Sequence, residues 1–544
     1  MSKAIREFLN KSYFFNRMKP RKIIKYTGIG IGVVSLAASP ILIANSSKDA
    51  AIINKANGVL RFARSLKIGL WISLDYYFAM AGLDESSDNF NVMMSRIHQR
   101  SAEHILDGCL SNGGCYIKLG QGLVSMSHIL PKEYIETLRV LQDKCLKRES
   151  GELEKIFKKD FGKNPEELFK EFNKEPIAAA SIAQVYKATT KEGNHVAVKV
   201  QYIDLQQRFG NDVITIRTLL KIAGTLHPDY DFSWVIDDLE NTLRQELDFI
   251  NEGLNSERCS RDLKHLRYIH VPKVYWDYTS SRVLVTEFIN GYKISDLDNL
   301  RKDKFSLVDL NKKLFEAFGH QIFQSGFVHG DPHPGNVLVR MVKGDAQLVL
   351  LDHGLYQEVS PKDRKSLSYL WNAIVLNDQE SMKKYSNELG VKNHELFAEI
   401  LTQQPLKSRG FKIKAQLTDE DLRQMTEFAK EKFDSIMICL KEMPRSLLLV
   451  LRNLNTIRAI AQHHGNPIDR YSILARTATK SIYNMETNLA KRLLNFPKKI
   501  YFEFILQIQR LGRWFTKTTL RILHRLGLAP DVEAFVKNLR PVHF

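Results

Sequence analysis

The chain has 544 residues, 44% apolar and 26% charged, enough for a two-lobed catalytic core and too apolar for a disordered chain. Five cysteines, Cys109, Cys115, Cys145, Cys259 and Cys439, show no C-x-x-C spacing, so neither a zinc site nor a disulfide framework is indicated. The net charge of +18 sits mainly at the two ends, a distribution that argues for membranes and against nucleic acid, whose enzymes spread basic charge over the folded core.

In chain order, residues 1–25 carry eight Lys and Arg against one acid, Glu7, together with Phe8, Leu9, Tyr13, Phe14 and Phe15. That composition is expected of a mitochondrial targeting segment. Thr27 to Ala44 is an uncharged, mostly apolar run of 18 residues, which places a transmembrane helix at 26–45. Gly28 and Gly32 form a small-xxx-small pair suited to helix–helix association with inner-membrane proteins. The basic flank predicts that residues 1–25 face the mitochondrial matrix and the main domain the intermembrane space. Residues 46–84 are read as a linker with an amphipathic helix, and 85–150 as a further helical segment.

From about residue 176 the pattern turns to strands. "PIAAASIAQVYKATTKEGNHVAVKVQ" reads as a small-residue loop, Ala178, Ala179, Ala180 and Ser181, flanked by strands, with a turn at Glu192–Gly193–Asn194. V-A-V-K matches the kinase third-strand signature, whose lysine, here Lys199, holds nucleotide phosphates. Its acidic partner is sought on a following helix, "LENTLRQELDFINEGLNSER", where Glu246, Asp248 and Glu252 are candidates and Asp248 and Glu252 share a face. "RVLVTEFINGYKI" is a strand ending at Glu287, assigned to the nucleotide site, before a hinge-like turn at Asn290–Gly291.

"FVHGDPHPGNVLV" follows a helix and keeps the kinase Asp-to-Asn separation in Asp331 and Asn336, with Gly330 where kinases have Arg. A hairpin at Lys343–Gly344–Asp345 leads to "QLVLLDHGLY", with D-H-G in the D-F-G position. Phosphoryl transfer asks for positioning and for neutralisation of spreading negative charge. Asn336 and Asp352 are hard oxygen ligands for Mg²⁺, Asp331 accepts or orients the acceptor hydroxyl, and Lys199 holds the phosphates of ATP or ADP. His329 and His333 lie on a proline-rich loop rather than a helix, and His329 is read as a packing and hydrogen-bonding residue. At the far end, Phe504, Ile508, Leu511, Phe515, Ile522 and Leu526 recur at helical spacing opposite Arg510, Arg513, Lys517, Arg521 and Arg525. Such a helix either packs on the core by its apolar face or lies on an anionic leaflet.

These motifs, in this order, resemble the UbiB family of atypical kinases, also called AarF-domain-containing kinases, in its mitochondrial branch outside the coenzyme Q one. "YIKLGQ" resembles the family's K-x-G-Q motif, with Lys118, Gly120 and Gln121; "AAAS" its alanine-rich loop; "ELD" at 246–248 its E-x-D motif; "HGDPHPGN" and "DHG" complete the set. The resemblance spans roughly residues 85–470. It implies an α+β, protein-kinase-like two-lobed fold: a family-specific helical extension at 85–150, an N-lobe at 151–290, a C-lobe at 291–480 and a basic tail at 481–544. It further implies that the K-x-G-Q segment folds over the peptide site, with Lys118 meeting Glu246 or Asp248 and Glu252 left for Lys199. Three functions fit: a lipid-directed kinase or ATPase at the mitochondrial membrane, a nucleotide-binding scaffold, and a protein Ser/Thr kinase disfavoured by the missing A-P-E.

Overall fold

The computed structural model describes residues 49–80, 89–113, 115–125, 131–143, 151–179, 182–203, 209–210, 212–218, 221, 240, 244–403, 433–485, 500–508, 511 and 519. The targeting and transmembrane segments expected at 1–25 and 26–45, with Gly28 and Gly32, lie outside them. Among the described residues, no helix is long and apolar enough to cross a membrane. The chain divides into two compact units, residues 1–253 with 273–288, and residues 254–272 with 289–544.

The first unit begins with helices: α1 (Asp49–Met80), α2 (Asn89–Asn112), α3 (Cys115–Ser125) and α4 (Lys132–Leu138). They close on a core of Cys109, Tyr116, Ile117, Val124, Ile135, Leu138, Leu141 and Ile216. Each large apolar side chain removed from water there is worth roughly 1.5–3 kcal/mol. A buried Arg61–Asp212 ion pair at 2.9 Å ties α1 to the helical residues 212–218.

After α5 (Glu152–Phe161) comes an antiparallel sheet of β1 (Glu171–Phe172), β2 (Ala178–Ala179), β3 (Ala183–Thr189), β4 (His195–Gln201) and β6 (Val283–Glu287). Its order is β1-β3-β4-β6, with β2 added against β3. Period-two patterning decides its faces. Val196, Val198 and Val200 of β4 bury one side against Ile156 and Phe157 of α5, so Ala197 and Lys199 take the other. The turn expected at Glu192–Gly193–Asn194 is present, with Gly193 at φ +88°, a conformation that favours glycine.

The second unit holds β5 (Ile269–His270), β7 (Tyr292–Lys293), β9 (Val337–Val342) and β10 (Asp345–Leu350) in the order β5-β10-β9-β7, and a ribbon of β8 (Phe327–His329) with β11 (Tyr356–Glu358). Lys343 and Gly344, at φ +52° and +83°, make the two-residue turn between Val342 and Asp345, where the hairpin was expected. The helix α6 (Phe249–Asp262) gives its first turn to the first unit and its remainder to the second. Next come α7 (Leu307–His320), which runs into a π-helical turn Gln321–Ser325, then α8 (Pro361–Leu376), α9 (Arg445–His463) and α10 (Arg470–Met485). Leu310, Leu314, Phe315 and Phe318 of α7 are wholly buried.

Three histidines of this unit make its stability pH-dependent. Burial lowers the affinity of His329 and His464 for a proton, and burial with neighbouring His265 pushes His320 down to about 4. Folded pKa values below the unfolded value mean that the unfolded chain binds more protons as pH falls through about 6.5. Stability is therefore full above pH 6.5 and declines toward pH 4. Unfolding midpoints at pH 7, 6 and 5 should fall in that order; a flat series would contradict this assignment.

Candidate active site

Lys199 reaches its position because the opposite face of β4 is sealed by valines. Its Nζ lies 2.7 and 2.9 Å from the two carboxylate oxygens of Glu252 and 5.0 Å from the centre of the Phe249 ring. Glu252 is 1% exposed. Asp248 takes another part. The single helix expected over this stretch is broken: residues 244–246 are helical, Leu247 is in a turn, and α6 starts at Phe249. Asp248 sits at the break and accepts from the backbone N–H of Ile250 and Asn251 at 3.1 and 3.4 Å, an N-cap that satisfies orphan donors. The shared helical face expected for Asp248 and Glu252 is therefore absent, and Glu252 alone of the two meets Lys199.

The alanine segment also differs from a plain loop. Ala178 and Ala179 form β2, in register with Val185 and Gln184 of β3, which limits the backbone freedom a glycine loop would have. Ala180 and Ser181 lie outside the described residues. Glu287 ends β6; its N–H donates to the Lys273 carbonyl at 2.8 Å and its carboxylate accepts from the Lys273 N–H at 3.4 Å.

Of the K-x-G-Q residues, Gly120 and Gln121 fasten α3. A Cβ on Gly120 would collide with the end of the Leu141 side chain and press on the Cys109 thiol at 3.3 Å, so a side chain there would force this core to shift. Gln121 Nε2 donates to the Leu141 carbonyl at 2.8 Å. The side chain of Lys118, and with it the contact expected with Glu246 or Asp248, lies outside the described residues.

In the second unit the loop after β8 is organised by His329. Buried at 2% exposure, it accepts the Asp331 N–H on Nδ1 at 3.1 Å, which puts its proton on Nε2. Its ring also lies 6.0 Å from that of His353 and 4.9 Å from that of Tyr356, so one imidazole lies against both motif segments. Its own N–H donates to Gln321 Oε1 at 3.1 Å, from the π-helical turn that ends α7. His333 Nδ1 accepts from the Gly335 N–H, making a local turn of the second histidine. Among the described residues, no group of three His, Cys, Asp or Glu could hold a metal ion.

Gly330 is a steric requirement. A Cβ there would stand 2.7 Å from Leu355, whose carbonyl accepts the Gly330 N–H at 2.8 Å. The Arg of H-R-D therefore has no room. The β9–β10 register, Leu350 opposite Val337, continues through a Leu351 N–H to Asn336 carbonyl bond of 2.9 Å. Asn336 and Asp352 thus come to the same end of one strand pair, and Asp352 is steadied by the Gly354 N–H on Oδ1 at 3.0 Å. A carboxylate and an amide oxygen so placed suit Mg²⁺, and the donor set fits that ion.

His353 replaces the phenylalanine of D-F-G with a polar anchor. Its Nε2 donates to the Leu350 carbonyl at 3.0 Å, leaving Nδ1 for the Tyr356 hydroxyl at 2.9 Å. Tyr356 stacks on Phe327 at 4.2 Å. Two residues that no motif pointed to complete the loop: Arg452 Nη2 lies 3.1 Å from Asp331 Oδ2, and Asn453 Nδ2 donates to the His329 carbonyl at 2.7 Å. Both belong to α9, more than 120 residues downstream, where spacing carries no signal for them.

Comparison with known proteins agrees with these motifs. Residues 140–386 match the family described as ABC1 atypical kinase-like domain. The probable serine/threonine-protein kinase abkD of Dictyostelium discoideum is 38% identical over 93% of this chain and 74% of its own. AarF domain-containing protein kinase 1 of Gallus gallus is 33% identical over 86% of this chain and 94% of its own.

The chain belongs to the ABC1/AarF family of atypical kinases. The α+β kinase-like fold implied by the motifs is thereby shown. A Mycobacterium tuberculosis protein solved with erythromycin covers 71% of this chain and 95% of its own at 20% identity, with a TM-score of 0.42. The matched ABC1 segment includes Lys199, Glu252, Asp331, Asn336 and Asp352, whereas α3 and α9 lie outside it.

Proposed function

We propose that this ABC1/AarF protein is a magnesium-nucleotide-dependent phosphotransferase or ATPase that acts on a lipid or lipid-like acceptor at the mitochondrial inner membrane, in membrane lipid homeostasis and organisation. The observation that carries the reading is the closed Lys199–Glu252 pair, the arrangement that kinase-like sites need when a nucleotide is to be held for transfer. Lys199 would take the phosphates of ATP or ADP, Asn336 and Asp352 the Mg²⁺, and Asp331 the acceptor. The metal would supply charge neutralisation at the phosphates.

A lipid surface is favoured by the far end of the chain. Residues 500–508 are helical, with Phe502 and Leu506 buried while Tyr501, Phe504 and Ile508 are exposed, as is Leu511. Packing by the predicted apolar face is thus absent at Phe504, Ile508 and Leu511. That apolar stripe is exposed in a segment rich in Lys and Arg, the composition of an interfacial helix. A protein acceptor is the second reading, suggested by the name of the Dictyostelium relative; a nucleotide-binding scaffold is the third.

The test is a thermal unfolding series with ADP or ATP, with and without Mg²⁺, followed by ATP turnover with neutral or anionic vesicles. The reading requires a magnesium-dependent upward shift and turnover raised by anionic vesicles. No shift with any adenine nucleotide would end it. A shift without turnover would favour the scaffold.

A further inference from the structure

The segment "HGDPHPGN" contains neither Lys nor Arg. Gly330 has no space for a side chain because of Leu355, and His329 presents a neutral Nδ1 to the Asp331 N–H. Yet a phosphoryl group in transit spreads negative charge over three oxygens, and the residues proposed to face it include two carboxylates, Asp331 and Asp352. A cation on the acceptor side, beyond Lys199 and the metal, would have to come from another element.

Helix α9 supplies one. Arg452 Nη2 sits 3.1 Å from Asp331 Oδ2, each side chain 33% exposed and so within reach of a ligand. Asn453, wholly buried, donates Nδ2 to the His329 carbonyl at 2.7 Å. Two consecutive side chains therefore grip the loop on either side of Gly330, and α9 is held in register with the loop. A guanidinium has five N–H donors in a planar fork, so it can hold Asp331 with one and offer others to an anionic oxygen.

We infer that Arg452 is the phosphate-directed cation of this site, orienting Asp331 at rest and donating to the phosphoryl oxygens during transfer. The inference rests on the nucleotide reading above and adds to it a working residue from outside the matched domain.

The test compares binding of Mg·ADP alone with Mg·ADP plus aluminium fluoride, a mimic of the phosphoryl group in transit. The full chain, Arg452→Gln and Arg452→Lys are measured together. In the unaltered protein the fluoride complex should bind about 100-fold tighter. Arg452→Gln should keep its Mg·ADP affinity within about twofold and lose most of that gain. Arg452→Lys, which keeps the charge without the fork, should fall between and remains usable if the Gln variant does not fold. An undiminished gain in the Lys and Gln variants would overturn the inference. So would a loss of Mg·ADP affinity as large as the loss of the gain, since that marks a purely structural role. Failure of the unaltered protein to bind Mg·ADP at all would instead overturn the nucleotide reading, and this inference with it.

Discussion

Asp352→Asn should remove the magnesium dependence of nucleotide binding. The substituted side chain keeps an oxygen to accept the Gly354 N–H, now 3.0 Å from Oδ1, so the turn itself is preserved. What disappears is the negative charge that a hard divalent ion demands. At a nucleotide concentration about 100-fold above Kd, binding stabilises the folded chain by about 2.7 kcal/mol. In Asp352→Asn the shift with Mg²⁺ should shrink to that seen with a chelator, and ATP turnover should drop by about 100-fold or more. A variant that keeps its full magnesium-dependent shift would show that the ion is held elsewhere. In cells lacking the protein, rescue by the same variant would favour a scaffold over an enzyme.

Lys199→Met should affect stability as well as binding. Glu252 is 1% exposed and takes the Lys199 ammonium on both oxygens. Removing the ammonium leaves a buried carboxylate without that partner, a change that costs about 3 kcal/mol in comparable buried pairs. Nucleotide-free Lys199→Met should therefore unfold at a clearly lower temperature than the unaltered chain. The double variant Lys199→Met/Glu252→Leu should recover part of the loss, because it removes the buried charge along with its partner. Neither variant should bind ATP with normal affinity. An unchanged midpoint in Lys199→Met would mean that the pair contributes nothing before nucleotide arrives.

The two predictions differ in how far they could be read without a structure. Lys199 lies within the apolar strand β4 and Asp352 just after β10, each inside a short signature whose chemistry is local. The choice among Glu246, Asp248 and Glu252 was not local. Periodicity treats all three as helical; the family resemblance left Glu252 for the lysine, which it meets, and the structure added the break at Leu247 that turns Asp248 into a cap. Gly120 presented itself as a motif letter, while its reason, the approach of Leu141 and Cys109, depends on how α3 packs.

The order of motifs, the strand that carries Lys199, the strand that leads to Asp352 and the β9–β10 hairpin were determined by the sequence alone, since each follows from spacing, period-two patterning or turn chemistry over a few residues, and the kinase-like class came from the family resemblance those motifs carry. Tertiary structure decided the rest: that Leu355 crowds position 330, that one buried histidine packs against both the Asp331 segment and His353, that Phe504 and Ile508 face outward, and that Arg452 meets Asp331. These are contacts between residues far apart in the chain, made when apolar surface is buried, and neither periodicity nor spacing encodes which distant side chains that burial brings together.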